Sequence, residues 1–256
     1  MARTVLDDLG HPVRLPDRVE TAVSLVPSLT EAIARTAPGL LIAATVWCTH
    51  PADLAVERVR GTKNPHVARI VELAPDVVVA NREENRERHV LALREAGMPV
   101  WVTDVRTVAG AFASLRRLLT EVCGPPAPDW LAEAEAVWSA PVPERGPRVA
   151  VPIWRNPWMV IGGDTFSSDV LARLGAVNVF ADAEGRYPRV TPDVIAAAAP
   201  DLVVLPDEPY RFGPDDGPEA FPDLPAVCVD GRALTWYGPS LTDARDHLAA
   251  ALRGRS

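Results

Sequence analysis

The sequence predicts an α/β protein built from two similar α/β lobes joined by a helical linker, with a ligand cleft between the lobes. Three observations predict this fold class. Short apolar runs rich in β-branched residues alternate with amphipathic helical patterns, which is typical of parallel strands joined by helices. One helix–strand pattern recurs in the other half of the chain. A proline-rich segment separates the two halves.

Both halves contain the same kinds of element. In the first half, strands are predicted at 21–26, 40–47, 76–81 and 99–104, and helices at 87–97 and 108–122. In the second half, strands are predicted at 148–154, 158–162, 201–207 and 226–231, and helices at 167–175, 191–199 and 241–253. The predicted domains are therefore an N-terminal lobe at 1–123 with a leading β-hairpin, a linker helix region at 124–147 and a C-terminal lobe at 148–256.

The repeated pattern is a helix, the tripeptide Ala-Pro-Asp and an apolar strand. It reads ARIVELAPDVVVAN in the first half and PDVIAAAAPDLVVLPD in the second. Proline ends a helix because it cannot continue the helical hydrogen bonding, so Pro75 and Pro200 each mark a helix end followed by a strand. Between the halves, 124–147 has proline-rich ends around a short predicted helix at Asp129–Ser139.

Composition excludes several classes of partner. The chain has 256 residues and a net charge of −8, which disfavours nucleic acid and anionic membranes. Its three cysteines have no regular spacing, so no disulfide framework is expected.

The start of the sequence bears on cellular location. Asp7 and Asp8 occur before any apolar stretch of the kind that a secretory signal needs, which predicts a cytoplasmic protein. If a leader has been removed, the protein would instead lie outside the cytoplasm.

The stretch SLVPSLTE ends a strand and begins a helix. Ligands of open α/β folds bind beyond the carboxyl ends of strands, so Pro27 and Ser28 are candidate ligand-binding residues. Ser28 and Glu31 also have the spacing of a capping box, and we expect that capping role with or without a ligand. Asn81 and Arg82 follow another strand and are expected to border the cleft, although the charge run that contains them is also typical of a solvated helix start.

Aromatic residues are predicted at strand ends and in loops, where binding surfaces are built. As a group they favour a flat ligand between the lobes, although any one of them is also explained by packing. They are Trp47, Trp154, Trp158, Tyr187, Tyr210, Phe212, Trp236 and Tyr237.

The stretch TVWCTHP raises the alternative of a metal site. His50 and His66 both follow strands or turns of the first lobe and are the candidate metal ligands. Cys48 and His50 do not have a recognised zinc spacing, so capping or packing is the competing interpretation.

Motifs for catalysis are absent from the sequence. It has no Gly-x-Ser-x-Gly elbow, no Walker loop and no GxGxxG, and the glycine pair of IGGDTFSSD is a weak phosphate signal. The sequence therefore favours binding over catalysis, and no tightly bound catalytic cofactor is expected.

Several motifs in order resemble the vitamin B12-binding members of the substrate-binding proteins whose two lobes are joined by a helix. They are VSLVPSLTE, ARIVELAPDVVVANREEN, RNPW and GRYPRVTPDVIAAAAPDLVVLP, and they span nearly the whole chain. The start DDLGHPVRLPDRVE is similar to the N-terminal β-hairpin of siderophore binders. The resemblance implies a binding protein for a bulky planar or metal-chelate ligand: cobalamin or another corrinoid first, then haem or a ferric siderophore.

The resemblance also implies roles for individual residues. Trp47 falls where the family places an aromatic over the corrin, and Trp158, Tyr187 and the pair Trp236-Tyr237 match further ligand-side positions. Thr62 and Thr235 replace a family Trp and Asp. Ala68 replaces a family Glu that docks onto the permease, so docking to an importer is not expected here. The rival classes are a cytoplasmic enzyme that has adapted the cleft and an interaction module that leaves it unused.

Overall fold

The computed structural model describes residues 2–144 and 146–253, and the chain divides into two compact units. The first unit comprises Met1–Asp104, Phe112–Ala132 and Tyr237–Pro239, and the second comprises Val105–Ala111, Glu133–Trp236 and Ser240–Ser256. The predicted lobes and linker also contain residue 1, Arg145 and residues 254–256, which lie outside the described residues.

The strands are short and occur throughout both units. They are β1 Ala2–Leu6, β2 Pro12–Pro16, β3 Ala22–Ser24, β4 Leu41–Ala44, β5 Glu57–Arg58, β6 Arg60–Gly61, β7 Asn64–Pro65, β8 Val77–Asn81, β9 Val100–Thr103, β10 Arg148–Ala150, β11 Pro152–Trp154, β12 Met159–Val160, β13 Val177–Asn178, β14 Leu202–Pro206 and β15 Ala226–Val229.

The helices connect these strands. They are α1 Pro27–Thr36, α2 Val67–Leu73, α3 Glu87–Glu95, α4 Val108–Leu118, α5 Asp129–Trp138, α6 Phe166–Arg173, α7 Pro192–Ala197, α8 Gly231–Thr235 and α9 Leu241–Leu252. A π-helical turn, Leu119–Cys123, extends α4, and a 3₁₀ turn occupies Pro218–Ala220. The linker helix α5 lies where the sequence predicts a helix. Within the described residues, no helix is long and apolar enough to cross a bilayer.

Each unit is built on a parallel sheet. The first has the order β5-β4-β3-β8-β9 and the second has the order β13-β10-β14-β15. When the edge strand β5 is left aside, the two sheets have the same order. In each, the second strand along the chain lies at one edge beside the first, and the third and fourth strands follow on the other side. Buried aliphatic side chains of the strands belong to the core of each unit, including Val23 and Val78 in the first and Val203 and Leu205 in the second. The prediction of two similar α/β halves is therefore confirmed.

The repeated Ala-Pro-Asp tripeptide has the same geometry in both units. Ala74 and Ala199 both have left-handed backbone conformations, with φ of 45° and 48°. The carboxylate of Asp76 then accepts hydrogen bonds from the N–H groups of Glu20 and Thr21, before β3. In the second unit, Asp201 accepts a hydrogen bond from the N–H of Arg148, the first residue of β10. Each aspartate thus ties the end of a helix to the start of the neighbouring strand.

One predicted strand of the second half takes a different place. The run 158–162 does not join the parallel sheet; its β12 segment pairs antiparallel with β11 in a separate hairpin. The reason is the intervening turn Arg155-Asn156-Pro157, in which Asn156 has a φ of 64° and Pro157 cannot donate a hydrogen bond. The position beside β10 is taken by β13, which has only two residues and so gives no sequence pattern.

The predicted N-terminal hairpin is present as the antiparallel pair β1 and β2. Asp7, directly after β1, is 3% exposed. Its carboxylate accepts hydrogen bonds from the N–H groups of Leu9 and His11 in the hairpin turn and from Val102 of β9, and it forms an ion pair with Arg94 of α3. Asp7 therefore fastens the hairpin to the edge of the first sheet.

Candidate functional site

The predicted site residues of the first unit lie at one edge of its sheet. Parallel strands present their carboxyl ends at the same edge. Pro27 and Ser28 follow β3, Trp47 follows β4, Asn81 ends β8 and Arg82 comes directly after it. The sequence placed these residues at the ends of predicted strands, and the sheet order brings β4, β3 and β8 side by side.

The capping-box prediction for Ser28 and Glu31 is wrong. The helix α1 begins two residues earlier than a cap at Ser28 would give, at Pro27, with Val26 as its N-cap and no side-chain cap. Proline favours the first helical position because its φ is already helical and its missing N–H would have no partner there. Thr30 Oγ1, inside the helix, donates to the Val26 carbonyl at 2.9 Å. Ser28 is thus a buried residue of the first turn of the helix.

Trp47 is the most exposed large apolar side chain among the described residues, with 64% of its surface accessible. It lies in the turn after β4. One edge of its indole contacts the β6–β7 hairpin: a Cβ added at Gly61 would lie 3.1 Å from Nε1 of Trp47. The backbone N–H of Val46 also donates to the Arg60 carbonyl at 2.8 Å. The hairpin thus supports one edge of the indole while most of the side chain is accessible.

Cys48 points into the first unit, away from solvent. Its Sγ lies 3.0 Å from Thr30 Oγ1 and 3.2 Å from Thr45 Oγ1, and burial raises the pKa of the thiol. Arg58 closes this turn by donating to the carbonyls of Thr45 and Cys48. The thiol is therefore neutral and packed between two hydroxyl groups, as the packing interpretation of TVWCTHP expects.

His50 and His66 are both accessible in part, and His50 Nδ1 lies 3.1 Å from Thr49 Oγ1. In the described parts of the chain, no group of three or more His, Cys, Asp and Glu side chains is arranged to hold a metal ion. A role of either histidine toward the metal of a bound chelate stays a prediction.

Asn81 has a structural partner for each polar group of its side chain. Its Nδ2 donates to the carbonyl and hydroxyl of Thr103, and its Oδ1 accepts from the N–H groups of Glu83 and Glu84. These bonds fix the loop after β8. Asn81 is 3% exposed, so its role at this edge is to hold the loop in place, and little of its surface is accessible to a ligand.

Arg82 and Tyr237 complete the polar part of this edge. Arg82 is exposed and forms a 3.0 Å ion pair with Asp104. Tyr237 belongs to the first unit and is 7% exposed; burial and the charge of Glu84 raise the pKa of its phenol, while hydrogen bonding to Thr103 and Ser28 opposes that shift. Burial also raises the pKa of Glu84 itself, against the charge of Lys63.

The second unit holds a cluster of aromatic rings after β11. Trp154 is 40% exposed and meets Tyr210 edge to face at 5.7 Å between ring centroids. Trp158 is half-buried: Phe212 stacks on it at 5.7 Å and Phe221 contacts it edge to face at 5.4 Å. The sequence placed Trp154, Trp158, Tyr210 and Phe212 at strand ends or in loops, and the structure brings their rings together.

Arg155 connects this cluster to nearby carboxylates. Its guanidinium lies 5.2 Å from the centroid of the Trp158 ring and pairs with both Asp216 and Glu219. Tyr210 donates its hydroxyl proton to Asp216 at 2.7 Å, which raises the pKa of the phenol. The charge of Arg155 is therefore balanced locally.

Tyr187 is 36% exposed on a segment that runs beside β12. Hydrogen bonds from Val160 to Pro188 and from Gly162 to Arg186 hold that segment in place. Side chains at Gly162 and Gly163 would collide with the carbonyls of Gly185 and Ala181 at 2.5 Å and 2.1 Å. Close packing of the backbone thus accounts for the glycine pair that also gave the weak phosphate signal.

Trp236 is 6% exposed, in contrast to Trp47. Its Nε1 donates to Glu208 at 2.8 Å and its ring lies 5.1 Å from the Arg232 guanidinium. Burial raises the pKa of Glu208, and the bond from Trp236 opposes that shift. Trp236 and Tyr237 are neighbours in sequence but belong to different units.

Comparisons with known proteins identify relatives of this chain by sequence and by fold. No protein-family model matches the chain. The vitamin B12-binding protein of Pectobacterium carotovorum is 27% identical over 255 residues, which cover 94% of this chain and 90% of that protein. The solved periplasmic vitamin B12 binding protein BtuF of Vibrio cholerae has a TM-score of 0.75 at 21% identity, with 93% of this chain and 98% of that chain covered.

This chain has the fold of the periplasmic substrate-binding proteins. The predicted resemblance to their vitamin B12-binding members is confirmed. Other solved proteins have the same fold, and their names give other ligands. The periplasmic heme-binding protein RhuT of Roseiflexus sp. RS-1 has a TM-score of 0.74 at 20% identity, covering 91% and 99% of the two chains. The molybdate-binding protein MolA of Haemophilus influenzae has a TM-score of 0.79 at 16% identity, covering 98% and 91%.

The three residues that depart from the family pattern, Thr62, Thr235 and Ala68, lie in different elements of the fold. Thr62 is 8% exposed, in the turn between β6 and β7. Thr235 donates its hydroxyl proton to the Gly231 carbonyl inside α8 at 2.7 Å. Ala68 is exposed in the first turn of α2.

Sequence reasoning missed two residues that organise the site. Asn85 lies in the charge run after β8, and nothing in that run separates it from the exposed residues around it. Arg155 is part of the quoted RNPW motif, but its two carboxylate partners lie more than 60 positions further along the chain, at Asp216 and Glu219. Such long-range pairs leave no local signal.

Proposed function

We propose that this chain is a binding protein for a bulky planar or metal-chelate ligand, with cobalamin or another corrinoid as the first choice. The observation that carries the proposal is Trp47: an indole held at the carboxyl edge of a parallel sheet, supported along one edge and 64% accessible. Exposed aromatic faces of this kind stack on flat ligands and contribute beyond the area that they bury. The similarity to a vitamin B12-binding protein over 94% of the chain supports the corrinoid as first choice.

Trp154 and Tyr187 are proposed as further ligand contacts because both are exposed aromatics at ends of strands or loops of the second unit. Pro27, Ser28, Asn81, Arg82, Trp158, Trp236 and Tyr237 remain proposed site residues. Among them, Ser28, Asn81, Trp236 and Tyr237 are largely buried, so their contribution is to shape the site. His50 and His66 remain candidates for contact with the metal of the chelate.

Haem is the second candidate ligand. The observation in its favour is the shared fold with a heme-binding protein at a TM-score of 0.74. Ferric siderophores are the remaining candidates from the sequence. The comparisons do not favour the alternative of an adapted enzyme or an interaction module with an unused cleft, because the relatives named above are all binding proteins.

A ligand panel tests the proposal. The purified protein is titrated by calorimetry with cyanocobalamin, haemin and one ferric siderophore, and a visible spectrum is recorded for each mixture after gel filtration. Retention of the corrinoid spectrum with a saturable heat supports the first choice. Binding of haemin or the siderophore without any binding of cyanocobalamin would replace the corrinoid, and no binding of any chelate would remove the proposed function.

We further propose that the protein acts in the cytoplasm and does not dock onto an importer. The structural support concerns docking alone: at position 68, on an exposed helix turn, an alanine replaces the family carboxylate and cannot form an ion pair. Fractionation of the native host, followed by detection of the protein in each fraction, tests the location. Recovery from the periplasm or a membrane anchor would end this part of the proposal.

A further inference from the structure

The side chain of Asn85 joins three separate parts of the first unit. It is 4% exposed. Its Oδ1 accepts from the N–H of Asn81 at 2.8 Å, and its Nδ2 donates to the carbonyls of Thr62 at 3.0 Å and Leu25 at 3.2 Å. One amide thus links the end of β8, the β6–β7 hairpin and the turn between β3 and α1.

The amide of asparagine matches all three partners at this place, and the carboxylate of aspartate does not. The acceptor side of the amide faces an N–H group, and its two donor hydrogens face two carbonyl oxygens, so the orientation of the amide is fixed by its partners. Aspartate has the same shape but no donor, and it would place a carboxylate against the Thr62 and Leu25 carbonyls. Buried groups left without partners cost about 1–3 kcal/mol each.

The hairpin held by Asn85 is the one that supports Trp47. Thr62, whose carbonyl binds Asn85, follows Gly61, against which the Trp47 indole packs. The same hairpin accepts the backbone hydrogen bond from Val46, next to Trp47. A displacement of the hairpin therefore moves both contacts that locate the indole.

We propose that Asn85 is a positioning residue for ligand binding: its amide fixes the β6–β7 hairpin, and the hairpin sets the place of Trp47. The predicted effect of Asn85 on ligand affinity rests on the proposed function. The structural half of the inference, the fixing of the hairpin by Asn85, is testable without ligand.

Hydrogen exchange tests the structural half. In the wild-type protein the amides of Val46 and His66 are held by hydrogen bonds to the Arg60 and Val59 carbonyls. We expect Asn85→Asp to speed the exchange of both amides by about tenfold or more, the equivalent of one lost buried bond. The matched control is Asn178→Asp, because Asn178 is a buried amide of the second unit that donates to Ile161 and accepts from Phe180. It should lower global stability and leave these two amides protected.

Affinity for the ligand selected by the panel tests the functional half. Asn85→Asp should weaken binding about tenfold or more at a temperature where both variants are folded, whereas Asn178→Asp should bind as the wild type does. Gly61→Ala provides a second variant should Asn85→Asp fail to fold, since its methyl group would press on Asn64 Oδ1 and Trp47 Nε1 at 2.7 Å and 3.1 Å. It should also weaken binding.

The two ways of failing are distinguishable. Wild-type protein that binds no chelate removes the proposed function but leaves the exchange result standing. Wild-type protein that binds, together with unchanged exchange and affinity in Asn85→Asp, overturns the role of Asn85. Unchanged affinity in Gly61→Ala, together with faster exchange of the Val46 amide, overturns the link from the hairpin to the ligand.

Discussion

Phe212 stacks on Trp158 with their ring centroids 5.7 Å apart and their planes 15° from parallel. Arg155 and Phe221 contact the same indole, so little of it remains for a ligand. Trp154, four residues earlier, meets the ring of Tyr210 edge to face and is 40% exposed. Two tryptophans that look equivalent in the sequence are therefore expected to have different roles.

Exchanging each of these tryptophans for alanine separates the roles. Trp158→Ala should lower the free energy of unfolding by about 3 kcal/mol, because it removes a large side chain from a packed cluster. Trp154→Ala should cost about 1 kcal/mol or less in stability but should weaken ligand binding. Urea denaturation and calorimetry measure the two effects. Full affinity in Trp154→Ala, together with lost affinity in folded Trp158→Ala, would reverse the assignment.

Within TVWCTHP, Trp47 is expected to matter most for binding. Trp47→Ala removes the stacking face and its apolar contact, so affinity should fall by about 2 kcal/mol or more, roughly 30-fold. Cys48→Ser should change affinity little because the thiol packs between Thr30 and Thr45. Trp130→Ala is the matched control, since Trp130 is a half-buried tryptophan of the first unit bonded to Thr36.

His50→Ala decides between stacking and metal ligation in the same stretch. A neutral imidazole is able to occupy an axial position on cobalt or iron, and its loss would shift the visible spectrum of the bound chelate. We expect the spectrum and the affinity to remain as in the wild type. A shifted spectrum or abolished binding in His50→Ala, with binding retained in Trp47→Ala, would make this stretch a metal-ligating loop.

Asp7→Asn should destabilise the fold by about 3 kcal/mol, because it removes one member of a buried ion pair and turns a donor toward the N–H groups that the carboxylate now binds. Equilibrium urea denaturation measures the loss. The exposed Asp53→Asn serves as the control and should have the stability of the wild type. Equal stability of the two variants would mean that the N-terminal hairpin contributes little to the fold.

Glu84 should make stability depend on pH in a defined direction. Burial raises its pKa in the folded state above the ordinary value of 4.5, so the folded state holds the proton more tightly than the unfolded state. Stability is therefore greatest below pH 4.5 for this group and falls as pH rises through the folded-state pKa. Glu84→Gln should be more stable than the wild type at neutral pH and should have a flatter profile. Denaturation at several pH values, with the exposed Glu87→Gln as control, measures this; identical wild-type and Glu84→Gln profiles would contradict it.

Local sequence patterns accounted for much of the fold because the forces behind them are local. Pro75 and Pro200 end their helices by geometry, and the β-branched runs after them form buried strands in either half. The N-terminal hairpin and the linker helix α5 were likewise visible from pattern and resemblance. The short strands β12 and β13 were misassigned or missed, since two residues are too few to show a period.

For this protein, the sequence by itself determined the α/β class, the internal repeat and the carboxyl strand ends at which a site would form. Only the tertiary structure decided how each candidate residue is used. It exposed Trp47 and buried Trp236, moved the start of α1 to Pro27, and gave Asn85 three partners that are up to 60 residues away in the chain. The physical reason is that exposure and hydrogen-bond partners depend on which distant segments fold against a residue, and a local pattern carries no record of them.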